Sequence, residues 1–182
     1  ATWRNAEHAT SALRRYDPTR ASYPHLGVDG HFEVEQHGSD SVIQRHTLRE
    51  QGVVVAGSSL QTLIDPVQLN DLRRAVLELL REWWLPQLHN PARLQSSEYQ
   101  AYAVLTMCRA LYTLQHGIVA SKPVAARWAQ EALDERWAGL IEQALAWRPD
   151  AQLDNLTETL DFIRHTLERS QQFEALIYEQ AR

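Results

Sequence analysis

The sequence contains one cysteine, one methionine and, among its 18 lysine and arginine residues, a single lysine. A lone cysteine, Cys108, cannot build a disulfide framework or a cysteine-based zinc site, which favours a reducing compartment and a cytoplasmic protein. No run of 18 apolar residues occurs, so we predict no membrane span, and the start lacks the pattern of a secretion signal. Protein surfaces that bind nucleic acid carry clustered positive charge, whereas this chain has a net charge of −5. We therefore do not expect nucleic acid as a partner.

Most of the seven glycines lie before Pro66, in a segment rich in turn-forming residues. This segment predicts long loops with one short strand over His31–Glu35, and then a helix over Ser41–Gln51 that Gly52 ends. The run Val53–Ala56 is apolar and β-branched, which predicts a short buried strand. Because one strand cannot form a sheet, its partner is expected in a loop, in a second copy of the chain or in missing sequence.

Helical periodicity continues through the sequence after Pro66. Apolar residues at three- and four-residue spacing predict five helices that pack as a bundle. The predicted spans are Leu69–Leu85, which stops before Pro86, Ser97–His116, Ser121–Leu133, Asp134–Trp147 and a last helix from about Leu153. The fold class is therefore mainly α, with a C-terminal five-helix bundle at residues 67–182. A loop-rich segment with one or two short strands, residues 1–66, precedes the bundle.

Three histidines, His31, His37 and His46, lie near Glu33 and Glu35 in the loop-rich segment. Their spacing fits no regular metal-ligand pattern, so we interpret them as solvated side chains and predict no metal site. Two Gly-Ser pairs in the same segment lack the downstream paired carboxylates that a magnesium-dependent phosphate-transfer site requires. We interpret both pairs as turns or helix caps and predict no catalytic residue in this chain.

The single lysine, Lys122, lies between Ser121 and Pro123 at the predicted start of the third bundle helix. Serine is a favourable residue before a helix and proline is tolerated in its first turn, so this helix start is well specified. Free amides at a helix start attract anions, and a lysine adds a mobile positive charge, which predicts a phosphate contact. The alternative is a solvated lysine beside a capped helix.

Two stretches of the sequence resemble a known family. Residues 102–130 contain V-L-T-x-x-R-x-x-Y, G-x-x-x-x-K and V-A-A-x-W-A in that order, and residues 48–72 contain R-E-x-G, V-x-G and D-P-V. These motifs resemble the streptomycin/spectinomycin adenylyltransferases, which are aminoglycoside nucleotidyltransferases, over about residues 45–165. The resemblance implies that residues 67–182 are the C-terminal helical domain of such an enzyme. It also implies that residues 1–66 are the tail of its nucleotidyltransferase domain and a connector.

The resemblance implies a reaction in which AMP moves from ATP-Mg to an aminoglycoside hydroxyl, with both substrates bound between two domains. Lys122, with Ser121 before it, is expected to contact the triphosphate. The preceding helix and its loop are expected to contact the polycationic aminoglycoside through Glu98, Tyr99 and Trp84. The five tryptophans at core spacing are otherwise interpreted as core residues, of which one or two border a ligand cleft: Trp83, Trp84, Trp128, Trp137 and Trp147.

The paired carboxylates and the catalytic base of this family are expected upstream of Tyr23. We therefore predict a truncated or degenerate homologue that is inactive alone, with ATP and Mg as cofactors of the complete enzyme. The rival prediction is a non-enzymatic interaction module or homodimer, which Phe173, Leu176 and Ile177 near the C-terminus favour. It rests on a stripe along the last helix whose alternative is the ordinary inward face of a bundle helix: Leu153, Leu156, Leu160, Ile163 and Leu167.

Overall fold

A computed structural model of the protein describes residues 22–26, 32–36, 39–151 and 154–179. The chain divides into two compact units after Asp71, and the assignment of residues 1–66 to the tail of a catalytic domain stays a prediction. The fold is mainly α, as predicted. Within the described ranges, no helix combines the length and the apolar character needed to cross a membrane.

The first unit contains an antiparallel β-hairpin and two helices. Its elements, in chain order, are β1 (Ser22–Leu26), β2 (Phe32–Gln36), α1 (Asp40–Gln51) and α2 (Leu60–Leu63). The strand predicted at His31–Glu35 lies within one residue of β2. The helix predicted at Ser41–Gln51 begins one residue later than α1. Both end at Gln51, and Gly52 is the residue that caps the helix.

The strand predicted at Val53–Ala56 is wrong. Val53 and Val55 are 87% and 97% exposed, and their backbone is irregular. Any side chain at Gly52 would collide with Leu60 and with the backbone of α1, so only glycine fits where the chain leaves that helix. A strand requires a paired neighbour, and in the part of the chain that the structure describes β1 and β2 pair with each other instead.

The interpretation of His46 as a solvated side chain is also wrong. This side chain is 8% exposed, and burial lowers its pKa while the Glu50 carboxylate acts in the opposite direction. His46 lies four residues after the buried Val42 on the same face of α1, which is the sequence signal for its burial. His31 and His37 lie outside the described residues.

The remaining regular elements of the described chain are helical. In order they are α3 (Leu69–Leu79), a π-turn (Leu80–Trp84), α4 (Leu85–His89), α5 (Ser97–His116), α6 (Lys122–Ala132), α7 (Ala138–Ala146) and α8 (Leu156–Glu179). Short 3-10 turns at Ala92–Gln95 and Glu135–Trp137 precede α5 and α7. With α3, the π-turn and α4 taken as one segment, these are the five predicted helices.

Helix α5 is the centre of the bundle. It packs against α6, α7 and α8, and Val104, Met107 and Cys108 on its buried face have no exposed surface. Gly117 ends the helix in the left-handed region, with φ of 71°, a conformation that favours glycine. The predicted end at His116 is therefore confirmed.

The predicted helix end before Pro86 is wrong, because the π-turn carries the helix past this proline to His89. The Leu85 N–H donates to the Leu80 carbonyl, five residues earlier instead of four. Pro86 consequently falls in the first turn of α4, where a missing N–H leaves no intrahelical hydrogen bond unmade. An interrupted hydrogen-bond ladder thus accommodates a residue that would break a regular helix.

The inward stripe predicted for the last helix is only partly correct. Ile163 is fully buried, but Leu156, Leu160 and Leu167 are half-buried, and Leu153 lies outside the described residues. The buried face of α8 is Thr159, Phe162, Ile163, Thr166, Ser170, Phe173 and Ile177. Thr166 and Ser170 donate their hydroxyls to backbone carbonyls of the same helix. This bonding allows polar side chains to be buried, and hydrophobic periodicity does not reveal it.

Candidate functional site

Four aromatic side chains from the π-turn and the first half of α5 form one cluster, which we call the aromatic wall: Trp83, Trp84, Tyr99 and Tyr102. The Trp84 ring centroid lies 6.1 Å from that of Tyr99 and 6.0 Å from that of Tyr102, and the two tyrosines are 5.4 Å apart. Trp83 Nε1 donates to the Tyr99 hydroxyl at 3.1 Å. The tyrosines are three residues apart, so α5 presents both on one face.

The two tryptophans of the aromatic wall differ in accessibility. Trp84 is 1% exposed and supports the tyrosines from beneath, whereas Trp83 is 40% exposed and Tyr102 is 43% exposed. Trp83, which was not among the predicted site residues, is therefore the indole that a ligand can reach. Apolar spacing does not distinguish the two indoles, because neighbouring residues of a helix can both be buried, as Met107 and Cys108 are.

A positive charge lies at each end of the aromatic wall. Lys122 Nζ is 4.9 Å from the ring centroid of Tyr102, and the Arg93 guanidinium carbon is 4.8 Å from that of Trp83. Both distances are within the range of cation–π attraction. The structure thus brings three predicted site residues, Lys122, Trp84 and Tyr99, into one continuous series of contacts through Tyr102.

A second cation, Arg109, lies close to Lys122 and was not selected from the sequence. Its Nε donates to the Ala120 carbonyl at 3.1 Å, just before α6 begins. Burial lowers the pKa of Lys122, and the charge of Arg109 lowers it further. Two neighbouring cations repel each other, so an anion that binds both is favoured. The available signal was the arginine of the V-L-T-x-x-R-x-x-Y motif.

Ser121 occupies the predicted position before α6, but its hydroxyl makes no capping hydrogen bond. Its carbonyl instead accepts the N–H of Ala125 at 3.0 Å. Pro123 has no N–H, so the first-turn amides without an intrahelical partner are those of Lys122 and Val124. The helix start therefore offers two amides together with the lysine ammonium to an anion.

Helix α6 packs against the C-terminal half of α5. The Tyr112 ring lies 4.3 Å from that of His116 and meets Trp128 of α6 edge-on at 5.5 Å. Arg73 Nε donates to the Leu114 carbonyl at 2.9 Å, which satisfies a carbonyl of the last turn of α5. Trp128, interpreted from the sequence as a core residue, is half-buried in this contact.

Glu98 lies in the first turn of α5 and is exposed. A carboxylate in a first turn is favourable for the helix itself, because it complements the positive end of the helix dipole. Ser96 caps the same turn, and its hydroxyl accepts the N–H of Tyr99 at 3.4 Å. Glu98 is therefore adjacent in sequence to the aromatic wall, and its contact with an aminoglycoside stays a prediction.

Within the described residues, no three histidine, cysteine, aspartate or glutamate side chains come together to hold a metal ion. The magnesium expected for a complete enzyme thus has no ligand set in this part of the chain. The arrangement that the chain does provide is a pair of cations at a helix start beside an aromatic surface.

A sequence profile of the aminoglycoside adenylyltransferase C-terminal domain matches residues 62–172. The chain belongs to this family. The family predicted from the motifs is confirmed, and the matched span begins later and ends later than the resemblance over about residues 45–165 had indicated. Lys122, Arg109 and all four residues of the aromatic wall lie inside the adenylyltransferase C-terminal domain.

Curated relatives of this adenylyltransferase domain carry the name aminoglycoside (3'') (9) adenylyltransferase. The one from Klebsiella pneumoniae is 30% identical over 141 residues, which is 74% of this chain and 51% of the relative. The one from Escherichia coli is 33% identical over 115 residues, which is 63% of this chain and 41% of the relative. The chain thus spans about half the length of the curated relatives that it matches.

The fold is also similar to that of a solved spectinomycin adenyltransferase from Enterococcus faecialis, whose crystal structure contains ATP and spectinomycin. The TM-score is 0.55 at 20% sequence identity, and the similarity covers 75% of this chain and 52% of that one. At this identity the similarity establishes the shared fold of the two helical regions.

Proposed function

We propose that the chain is the nucleotide- and substrate-contacting C-terminal region of an aminoglycoside O-adenylyltransferase, which transfers AMP from ATP to a hydroxyl of the antibiotic. Family membership supports this class of reaction. The observation that carries the proposal is the pair of cations, Lys122 and Arg109, at the start of α6. Two cations beside free helix amides provide the chemistry that binds a phosphate group.

At the nucleotide end of the site, Lys122 contacts the triphosphate of ATP, with Ser121 beside it, and Arg109 adds a second charge. The bond from Arg109 to the Ala120 carbonyl orients its guanidinium before ligand arrives. Tyr102 similarly orders the lysine ammonium, and such pre-ordering reduces the entropy lost on binding. ATP as the nucleotide agrees with its presence in the Enterococcus faecialis structure.

At the acceptor end of the site, the aromatic wall binds the aminoglycoside. Trp83 and Tyr99 provide the surface, Trp84 supports it from beneath, and Glu98 supplies a negative charge nearby. Exposed aromatic faces attract the ammonium groups of an aminoglycoside by cation–π interaction. The charge of a carboxylate attracts a polycation over longer distances than a ring can.

In this proposal, the magnesium ions, the carboxylates that hold them and the catalytic base belong to a nucleotidyltransferase domain outside these 182 residues. The greater length of the curated relatives supports such a domain. Carboxylate-held magnesium neutralises the charge that develops on the phosphates during transfer. The 182-residue chain is therefore expected to bind ligands without turnover, and adenylylation of streptomycin by this chain alone would contradict that expectation.

Isothermal titration of the chain with ATP-Mg tests the phosphate contact. Lys122→Ala is expected to weaken binding by about tenfold or more, because a charged hydrogen bond contributes about 1.5–3 kcal/mol. Arg127→Ala is the matched control, since Arg127 is an exposed cation on the same helix. Equal affinity of the wild type and Lys122→Ala, or no ATP binding by the wild type, would refute the phosphate role.

The alternative function, self-association along the last helix, rests on Leu156, Leu160 and Leu167, which are already partly buried within the chain. Sedimentation of Leu160→Glu distinguishes the two uses of this stripe. A dimer that is lost while the fold is retained favours an interaction module. A monomeric wild type whose variant unfolds favours a role in the bundle core.

A further inference from the structure

The last turns of α8 extend past the end of the family profile at residue 172 and still belong to the core. Phe173 and Ile177 are 5% and 4% exposed. The two residues are four positions apart, so they project from the same face of the helix. The burial of two apolar side chains on one face shows that this part of the helix packs against other elements.

The packing partner of this helix end is the segment that carries the two tryptophans of the aromatic wall. Helix α8 packs against α4 and against the π-turn. Glu174 forms an ion pair with Arg81, which lies inside the π-turn. Because Glu174 lies between Phe173 and Ile177, this ion pair identifies the last turns of α8 as the part that meets the π-turn.

The π-turn is a segment whose geometry depends on its surroundings. π-Hydrogen bonding is rare in helices and is found mostly as single turns, frequently at functional sites. Trp83 and Trp84 follow Arg81 by two and three residues, so the way this turn is held sets where both indoles lie. The hydrogen bond from Trp83 Nε1 to the Tyr99 hydroxyl is the sensitive contact, because it joins the π-turn to α5.

We infer that Phe173 and Glu174 are positioning residues for the acceptor end of the site. They hold the π-turn so that the Trp83 indole reaches the Tyr99 hydroxyl and the aromatic wall keeps its shape. The effect on ligands rests on the function proposed above, whereas the effect on Trp83 does not. The cations of the nucleotide end lie on α5 and α6, whereas the last turns of α8 contact the π-turn and α4. ATP binding is therefore expected to be insensitive to changes in the last turns of α8.

The Trp83 indole N–H gives a direct readout in an amide and indole NMR spectrum of the 182-residue chain, assigned with Trp83→Phe. Glu174→Gln removes the ion pair at constant volume and is expected to shift this resonance and to speed its hydrogen exchange. Phe173→Leu is a second variant that keeps an apolar side chain. Glu168→Gln, a carboxylate on the exposed side of the same helix, is the matched control and is expected to leave the resonance in place.

Charge exchange provides a rescue experiment. The double variant Arg81→Glu with Glu174→Arg is expected to return the Trp83 resonance towards its wild-type position, because the ion pair is re-formed with its polarity reversed. In titrations, Glu174→Gln is expected to weaken spectinomycin binding by about threefold, a typical effect of a partly exposed ion pair. ATP-Mg affinity is expected to be unchanged.

An unchanged Trp83 resonance in both Glu174→Gln and Phe173→Leu would overturn the inference. So would equal losses of ATP and spectinomycin affinity together with a lower unfolding midpoint, since that pattern indicates a structural role only. If the resonance moves but the wild type binds neither ligand, the positioning of Trp83 is upheld and the proposed function fails. If the resonance moves and spectinomycin affinity is unchanged, the role in acceptor binding is refuted.

Discussion

Gln100 connects three segments of the bundle through one side chain, and Gln100→Ala tests how strongly those segments are held. Gln100 is 2% exposed on α5. Its Nε2 donates to the Leu94 carbonyl at 2.9 Å, and its Oε1 accepts the Asn155 N–H at 3.0 Å. Leu94 belongs to the turn before α5 and Asn155 directly precedes α8, so this amide fixes both connections to the central helix.

The expected cost of Gln100→Ala comes from the loss of two hydrogen bonds. The Leu94 carbonyl bonds to a buried side chain and would be left unsatisfied, which costs about 1–3 kcal/mol. The Asn155 N–H is only part-buried and can turn to water, so its loss costs about 0.5–1.5 kcal/mol. Together we expect the free energy of unfolding to fall by about 2–4 kcal/mol, a large share of the about 5–15 kcal/mol typical of native proteins.

Urea-induced unfolding followed by tryptophan fluorescence measures this change. Gln115→Ala is the matched control, because Gln115 is an exposed glutamine on the same helix and is expected to change stability by less than about 0.5 kcal/mol. A loss below about 0.5 kcal/mol in Gln100→Ala would refute the reasoning. That result would mean that water satisfies both partners and that the two connections are held by other contacts.

Three further predictions concern titratable groups. Burial, and then the charge of Arg136, lowers the pKa of His165 in the folded chain. The neutral imidazole therefore contributes its full stability above the unfolded-state pKa of about 6.5, and this contribution is lost as the pH falls through the folded-state pKa. The free energy of unfolding measured from pH 7 to pH 4.5 should decline less in His165→Gln than in the wild type, and parallel curves would contradict this. Burial raises the pKa of Cys108 to about 12, so the folded chain holds very little reactive thiolate at pH 8. Iodoacetamide at this pH is expected to label Cys108 in urea but not in the native chain, and rapid labelling of the native chain would disprove the burial. Because the pKa of Lys122 is lowered, ATP affinity should decline between pH 8 and pH 10 in the wild type as the ammonium loses its proton. It should stay constant in Lys122→Arg, since a guanidinium remains charged. An equal decline in both proteins would mean that Lys122 does not cause it.

Regular helices were predictable because apolar spacing and end signals agreed. Helix α5 shows this agreement, with periodic apolar residues along its length and a glycine in the left-handed conformation directly after His116. The path of the chain past Pro86 could not be predicted, because a hydrogen bond to the fifth preceding residue leaves no mark in the sequence. The valines at 53 and 55 have the composition of a strand, but composition does not provide the partner that a strand needs.

In the candidate site, the position of Lys122 was predictable and the accessible surface of the aromatic wall was less so. Lys122 stood out because it is the one lysine of the chain and lies at a helix start. Arg109 did not stand out among many arginines, because its closeness to Lys122 depends on how α5 and α6 pack. Trp84 and Trp83 have the same side chain, so only the direction of the π-turn determines which of them is accessible.

The π-turn at residues 80–84 also bears on how this segment can change during evolution. Such a turn is equivalent to one residue inserted into an α-helix, because the wide turn takes up the extra residue. If the same residues formed regular α-helical hydrogen bonds instead, the downstream part of the helix would rotate by about 100°. That rotation would move Trp84 off the buried face where it meets Tyr99 and Tyr102. Homologous sequences with the same number of residues along this helix are therefore expected to keep the π-turn.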